Sequence, residues 1–231
     1  TSLSALTSFT SSGFALGSYA DANYNTATFA SWTFRKQAKF FDIVSYTGTG
    51  SNRTIAHNLG STPGCIIVKR TDTTSDWQVY HNGLTSAAYS IQLNSTNPQA
   101  SATTVWNSTS PTSSVFSVGT DASINASGGA YVAYLFAHNA GGFGLTGTDN
   151  VISCGSATAN ASGVFSVNLG YEPQLVLYKC SSSAGNWIEF DSMRGFVASP
   201  GTTSSYLMPN SSSAEAGFGS VAQPTATGFS V

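Results

Sequence analysis

Leu59-Gly-Ser-Thr-Pro-Gly-Cys-Ile-Ile-Val-Lys-Arg-Thr-Asp-Thr-Thr-Ser-Asp-Trp-Gln-Val-Tyr-His81 returns 110 positions later as Leu169-Gly-Tyr-Glu-Pro-Gln-Leu-Val-Leu-Tyr-Lys-Cys-Ser-Ser-Ser-Ala-Gly-Asn-Trp-Ile-Glu-Phe-Asp191. Leu59, Gly60, Pro63, Lys69 and Trp77 fall without a gap on Leu169, Gly170, Pro173, Lys179 and Trp187. Each copy holds a short, bulky apolar run, Cys65–Lys69 or Leu175–Lys179, entered through Pro and left through a polar turn. Such runs read as central strands covered on both faces. A second run, Trp77–His81 or Trp187–Asp191, follows after seven residues, a spacing that predicts a β-hairpin.

A second pattern recurs in Ser11–Gly17, Pro111–Val118 and Pro224–Val231. In its first two copies the likeness runs on from Phe29-Ala-Ser-Trp-Thr-Phe34 to Tyr131-Val-Ala-Tyr-Leu-Phe136, so this unit is a pair of strands. The period, near a hundred residues, is domain-sized and predicts a separate core for each copy. The phase of the repeats predicts that the chain is cut from a longer array. The expected boundaries are 1–38 as the C-terminal part of a preceding module, 39–140 as the first complete module, and 141–231 as a second module truncated at its C-terminus.

Only 8% of residues are charged, net charge is −2, and 41% are apolar. Disorder requires low hydrophobicity with high net charge, so a folded chain with a hydroxyl and amide surface is expected. Eight dispersed Lys and Arg residues argue against a nucleic-acid partner, whose affinity comes mostly from cations on phosphate. No apolar run approaches the ~18 residues that span a bilayer, so membrane insertion is not expected, and no signal peptide is recognised. Three cysteines at inequivalent places in the repeat predict free, mostly buried thiols, with a Cys154–Cys180 bridge as the alternative. No segment shows capped helical periodicity, while short strands and Gly, Asn and Pro turns abound. The expectation is an all-β fold of tandem antiparallel β-sandwich or jelly-roll-like modules with little helix.

Phe40–Gly50, Ile55–Gly60, Pro63–Lys69, Trp77–His81 and Tyr131–Phe136 together resemble a β-rich module repeated in structural and tail-fibre-like proteins of tailed bacteriophages, especially marine ones. The resemblance implies a non-enzymatic virion component at the virion surface, in a tail or appendage and thus extracellular. Other virion proteins and further copies of the chain, a trimer by analogy with fibres, would be its partners. A bacterial surface glycan is the expected ligand, since uncharged hydroxyl-rich loops bind sugars with little dependence on salt. A purely architectural capsid or tail protein without ligand, and a secreted carbohydrate-binding adhesin, are the alternative readings.

Trp77, Trp106, Trp187, His81 and Asp191 are the candidates for ligand contact. Trp77 and Trp187 could stack on sugar rings, although repetition at one position also suits a core residue. Trp106, within the polar Thr103–Thr109, is the better candidate for an exposed aromatic. His57 and His81 occur together in the first copy and are replaced by Val167 and Asp191 in the second, a pattern natural for touching residues that share a hydrogen bond or a weak divalent site, although satisfied structural histidines are the expected reading. Glu189 and Asp191, two apart on one strand, share a face and could in principle act as a carboxylate pair. No metal spacing of the C-x-x-C kind occurs, and neither a metal, nor a cofactor, nor a catalytic residue is expected.

Overall fold

The structure, a computed structural model, describes residues 5–197, 204–218 and 222–231. Two compact units emerge, Thr1–Phe34 and Arg35–Val231. In the first, β1 (Leu6–Phe9) and β2 (Phe14–Leu16) form an antiparallel hairpin followed by the single helical turn α1 (Ala20–Asn23).

The larger unit is all-β, built from several antiparallel sheets with very little helix. In its first half, β3 (Phe41–Thr47), β5 (Pro63–Arg70), β6 (Trp77–His81), β7 (Tyr89–Gln92), β8 (Ala100–Ser101) and β10 (Ala130–Ala137) make a six-stranded sheet in the order β3-β10-β5-β6-β7-β8. A ribbon of β4 (Arg53–Ala56) and β9 (Val115–Val118), with the short helix α2 (Ala122–Asn125), faces it. The core between these layers draws Ile66 and Val68 from β5, Tyr80 from β6, Tyr131, Ala133 and Leu135 from β10, and Ile55, Phe116 and Val118 from the ribbon. The buried positions of β10 alternate with half-buried ones, as a pleated strand with two unlike faces requires.

Polar pins close this layer pair. Asn125, fully buried, donates from Nδ2 to the Ser51 and Gly119 carbonyls at 2.7 and 2.6 Å and accepts from the Thr49 N–H at 2.9 Å. Such a satisfied amide specifies one loop geometry, because losing it would leave three backbone groups without their partner, the buried Gly119 carbonyl among them at about 1–3 kcal/mol. Nearby, a Cβ on Gly48 would overlap the Ala126 carbonyl, so only glycine fits there.

In the second half, β12 (Leu175–Lys179) and β13 (Trp187–Asp191) form the repeated hairpin. Its register matches that of β5 and β6: Cys65 faces His81 and Lys69 faces Trp77, as Leu175 faces Asp191 and Lys179 faces Trp187. A side-chain clamp is copied as well. Asn94 accepts from the Trp77 N–H and donates to Asp76, while Asn210 accepts from the Trp187 N–H and donates to Asn186. Gly60 and Gly170 both take the left-handed backbone that glycine favours. The remaining elements are β11 (Ser166–Asn168), the 3-10 turn Ser192–Arg194, β14 (Ser204–Tyr206), β15 (Ala216–Phe218), β16 (Gln223–Thr225) and β17 (Gly228–Ser230). Val176, Phe190, Phe196 and Ala222 form a second, smaller core.

The copies also differ. The ribbon β11–β17 pairs Val167 with Phe229, whereas the equivalent β4–β9 ribbon pairs Ile55 with Phe116. Because Phe229 corresponds to Phe116 and Val167 to His57, the second ribbon has slipped by two residues, the smallest shift that keeps each side chain on its face. Val151–Ala157, counterpart of β3, forms no strand. In the first half β3 pairs only with β10, and among the described residues no strand equivalent to β10 comes after the second hairpin.

The halves are joined through Trp187. Its indole, 6% exposed, packs with Val79 and Ile91 against Cys65, Ile67, Leu84 and Leu93, and its Nε1–H donates to the Gln92 carbonyl at 2.8 Å. Around it, the Gln99 N–H donates to Ser181 O, the Gly185 N–H to Thr96 O, and Lys179 Nζ to Thr96 O. Trp187→Ala is expected to destabilise by about 3–5 kcal/mol and to split urea unfolding, followed by tryptophan fluorescence and circular dichroism, into two transitions. Trp187→Phe, losing mainly the hydrogen bond, is expected to cost about 1 kcal/mol and to keep a single transition.

Candidate functional site

Trp106 is not the exposed aromatic its polar neighbours suggest: it is 1% exposed and meets Tyr80 edge-on at 5.9 Å. The short polar segment folds back so that Val105 and Trp106 both enter the first core. Its Nε1 has no hydrogen-bond partner, so the indole contributes apolar volume alone. Trp187 is buried between the halves. Trp77 lies half-buried on the outer face of the sheet, stacked on Tyr134 at 6.4 Å with Lys69 Nζ above its ring at 5.6 Å. An intramolecular partner thus occupies each tryptophan face that a sugar would need.

The histidines do not pair as their joint loss implied. His57 accepts the Leu59 N–H at Nδ1 and donates from Nε2 to the Thr112 carbonyl, each at 3.3 Å, which fixes one tautomer, and burial lowers its pKa. His81 accepts the Gly83 N–H at Nδ1, and the imidazole that bears on it is His138, which itself accepts the Cys154 N–H. Burial, with His138 adding to it, lowers His81 to about 4. Cys65 stands opposite His81 on the hairpin, and a Cβ on Gly64 would strike both His138 and Cys154. Despite this gathering of two histidines and two thiols, no group of three or more His, Cys, Asp or Glu among the described residues is arranged to hold a metal ion.

Glu189 and Asp191 do share a face, and Arg194 ties them together. Its Nη2 meets Glu189 Oε1 and its Nε meets Asp191 Oδ2, each at 2.7 Å. Asp191 Oδ1 also accepts the Arg194 N–H, capping the turn Ser192–Arg194. Burial raises the Glu189 pKa while Arg194 opposes the rise. Two carboxylates sharing one guanidinium form a structural bracket, and this is where Asp191 is spent.

Of these residues Gly64, Tyr80 and His138, none of which the sequence marks as a ligand residue, border the open cleft of about 270 Å³ beside the first hairpin. Lys39, Ser61, Thr62, Tyr80, Asn82, Ser110 and His138 line it, with Pro63 and Pro111 as apolar walls. Ser61 Oγ is buried there without a hydrogen-bond partner. Buried hydroxyls are normally satisfied, so an unpartnered one in a cleft wall is a ready donor or acceptor for a ligand. Lys39 adopts a left-handed backbone, φ 63°, held by its N–H donating to Leu59 O. The cleft joins hydroxyls, an amide, an ammonium and a phenol edge to proline faces, a set suited to a small polyhydroxylated ligand. In the second copy Lys39, Ser61, Thr62 and Asn82 become Asp149, Tyr171, Glu172 and Ser192. That divergence between the copies was the one signal in the sequence that could have marked the cleft.

All three cysteines are free. Burial raises the thiols of Cys65, well above its ordinary value, and Cys154, to about 12. Cys180 is exposed, contrary to the expectation of mostly buried thiols, and hydrogen bonds from Ser183 and Ser182 lower it to about 7.

The geometry defines an all-β protein with an open cleft in its first half. The chain belongs to the family described as Domain of unknown function (DUF7483), which matches residues 1–230. No curated protein and no solved structure matches it.

These titrations have measurable consequences. His81 is held below its ordinary 6.5 in the folded state, so protonation favours unfolding. Its contribution is present above about 6.5 and falls away, by on the order of 3 kcal/mol, as pH drops toward 4. Asp42 is likewise depressed: burial opposes the shift, but the Lys36 ammonium and the Asn58 and Ile43 N–H groups outweigh it. Its contribution is lost only as pH falls below the ordinary carboxylate range. Urea midpoints across pH 3–8 are therefore expected to show two descents, and His81→Asn to remove the upper one. For the thiols, iodoacetamide on the native protein is expected to label Cys180 alone, half-maximally near pH 7, and Ser183→Ala to move that midpoint upward.

Proposed function

We propose that this chain is a non-enzymatic structural component of a bacteriophage virion, in a tail fibre or similar appendage, where tandem β modules present the cleft of the first module to a bacterial surface glycan. The observation carrying the reading is that cleft, with an unpartnered buried hydroxyl in its wall, on a chain in which 8% of residues are charged. Hydroxyl, amide and proline walls match the alternating polar edges and apolar faces of a pyranose. Few charges keep such contacts nearly independent of ionic strength. The resemblance of Phe40–Gly50, Pro63–Lys69 and Tyr131–Phe136 to repeated modules of tailed-phage structural proteins supports the virion setting. A fibre would bring further copies of the chain, as trimers, and other virion proteins as partners.

Among the described residues no helix is long and apolar enough to cross a membrane. The Glu189–Arg194–Asp191 bracket supports a non-enzymatic reading over a carboxylate-pair glycosidase, because both carboxylates are held on the same cation.

Binding to bacterial surface polysaccharides on an array, with competition of adsorption by soluble protein, tests the reading. Wild-type protein is expected to bind at least one glycan class. Ser61→Ala and Ser110→Trp, at the wall and rim of the cleft, are expected to weaken binding tenfold or more with unchanged melting temperature. Absence of binding by wild-type protein would replace attachment with a purely architectural role.

A further inference from the structure

Charge in the cleft is one-sided. Among the described residues Lys39 is the only Lys or Arg that lines it, and no Asp or Glu does. Other cations of the chain are committed elsewhere: Lys36 pairs with Asp42, Arg70 with Asp72, and Arg194 with Glu189 and Asp191, while Arg53, Lys69 and Lys179 donate to backbone carbonyls. The Lys39 ammonium has no hydrogen-bond or ion-pair partner among the described residues. Its place is nevertheless built. A left-handed backbone is costly for a residue other than glycine and persists only where its surroundings impose it, here through the Lys39 N–H on the Leu59 carbonyl at 2.6 Å. The side chain then lies along Gly142, where a Cβ would come within 2.8 Å of Lys39 Cδ and 3.6 Å of its Nζ. Gly142, itself at φ 93°, thus leaves the space that the lysine stem fills.

The groups around this cation offer hydrogens. His138 accepts the Cys154 N–H at Nδ1, which leaves its ring proton on Nε2. Asn82 is exposed, and its side-chain amide has no partner among the described residues. Ser61 Oγ is buried and unpartnered. We infer that the glycan taken by this cleft is acidic, a sugar bearing one negative charge as a uronate carboxylate or a sulfate ester, with Lys39 as the residue that selects it. The inference rests on the glycan-attachment reading and narrows its ligand. One ammonium balances one negative charge, and an oxyanion accepts hydrogen bonds from the hydroxyl, amide and imidazole donors without offering any in return. An ion pair at the surface adds little affinity, so its effect is selectivity between acidic and neutral sugars, while the remaining contacts stay insensitive to salt. The second copy holds Asp149 at the place of Lys39, which reverses the sign of the charge.

The test prints uronate-bearing and sulfated bacterial polysaccharides on an array, each beside its own neutral form, carboxyl-reduced or desulfated, and probes them with the full chain. At about 50 mM NaCl, wild-type protein is expected to bind at least one acidic glycan about fivefold more tightly than its neutral partner. At about 1 M NaCl that ratio is expected to fall to about one, a measurement that needs no variant. Lys39→Asn, chosen because Asn accepts the left-handed backbone, is expected to bring the ratio to about one at low salt, and Lys39→Arg to keep most of it. The carboxyl-reduced and desulfated pairs tell the two oxyanions apart. Equal binding of acidic and neutral forms, or a preference that Lys39→Asn leaves intact, would overturn the inference and leave glycan attachment standing. Absence of binding to every member of every pair would overturn both.

Discussion

Two-sided pairing of β10 is the constraint on which the first module depends. A strand bonded on both edges and buried on one face satisfies its whole backbone ladder and supplies Tyr131, Ala133 and Leu135 to the core. It also fixes where β3 and β5 lie, and through β5 the hairpin that carries His81 and one wall of the cleft. Among the described residues the second module has no such strand. Its hairpin keeps the register, since that is set locally by turn and pattern, but β12 has one bare edge and the counterpart of β3 leaves the sheet. Its core is correspondingly small.

Released from sheet pairing, Val151–Ala157 packs on the first module. Ile152 joins its core, the Ile152 carbonyl accepts the Asn139 N–H, and the Cys154 N–H meets His138. Trp187 acts in the same direction from the other side. Its position in the repeat is that of Trp77, but its surroundings are those of a neighbouring module: the indole fills a gap on the outer face of β6 and β7, and its N–H reaches the Gln92 carbonyl. One residue type at one repeat position thus serves as an edge-stacked aromatic in the first copy and as the bolt between copies in the second.

Pairings set by local pattern were legible in the sequence. The hairpins, the all-β class and the strand at Tyr131–Phe136 come from apolar runs and turn spacing, and the shared register of the two hairpins comes from gapless similarity. Features that depend on distant partners were not legible. Phe29–Phe34 has the composition of a strand yet forms none; Trp106 sits among hydroxyl residues and is nevertheless buried. The structural reading of the histidines was legible, whereas their joint substitution reflects loss of two separate backbone-satisfying roles and not of a contact. Asn94 and Asn210 clamp equivalent strand starts from 17 and 23 residues away, a distance at which no local pattern marks them.

The cleft lies in the first copy, and duplication explains how it could arise. A module whose hairpin register, glycine turn and Asn clamp are shared can change residues at the cleft wall without altering its strand pairing, because Ser61, Thr62 and Asn82 lie at strand ends and not in the ladder core. At the same places the second copy holds Tyr171, Glu172 and Ser192, and its outer face beside Ser192 is occupied by the Arg194 bracket. That bracket closes a surface with buried ion pairs whose desolvation is offset only by close geometry, here 2.7 Å on each carboxylate. The first copy thus holds Ser61, Thr62 and Asn82 at the cleft wall, where the second places a charged bracket beside the equivalent strand end. The division leaves the cleft beside the six-stranded sheet, where a rigid scaffold can hold a shallow surface in one shape.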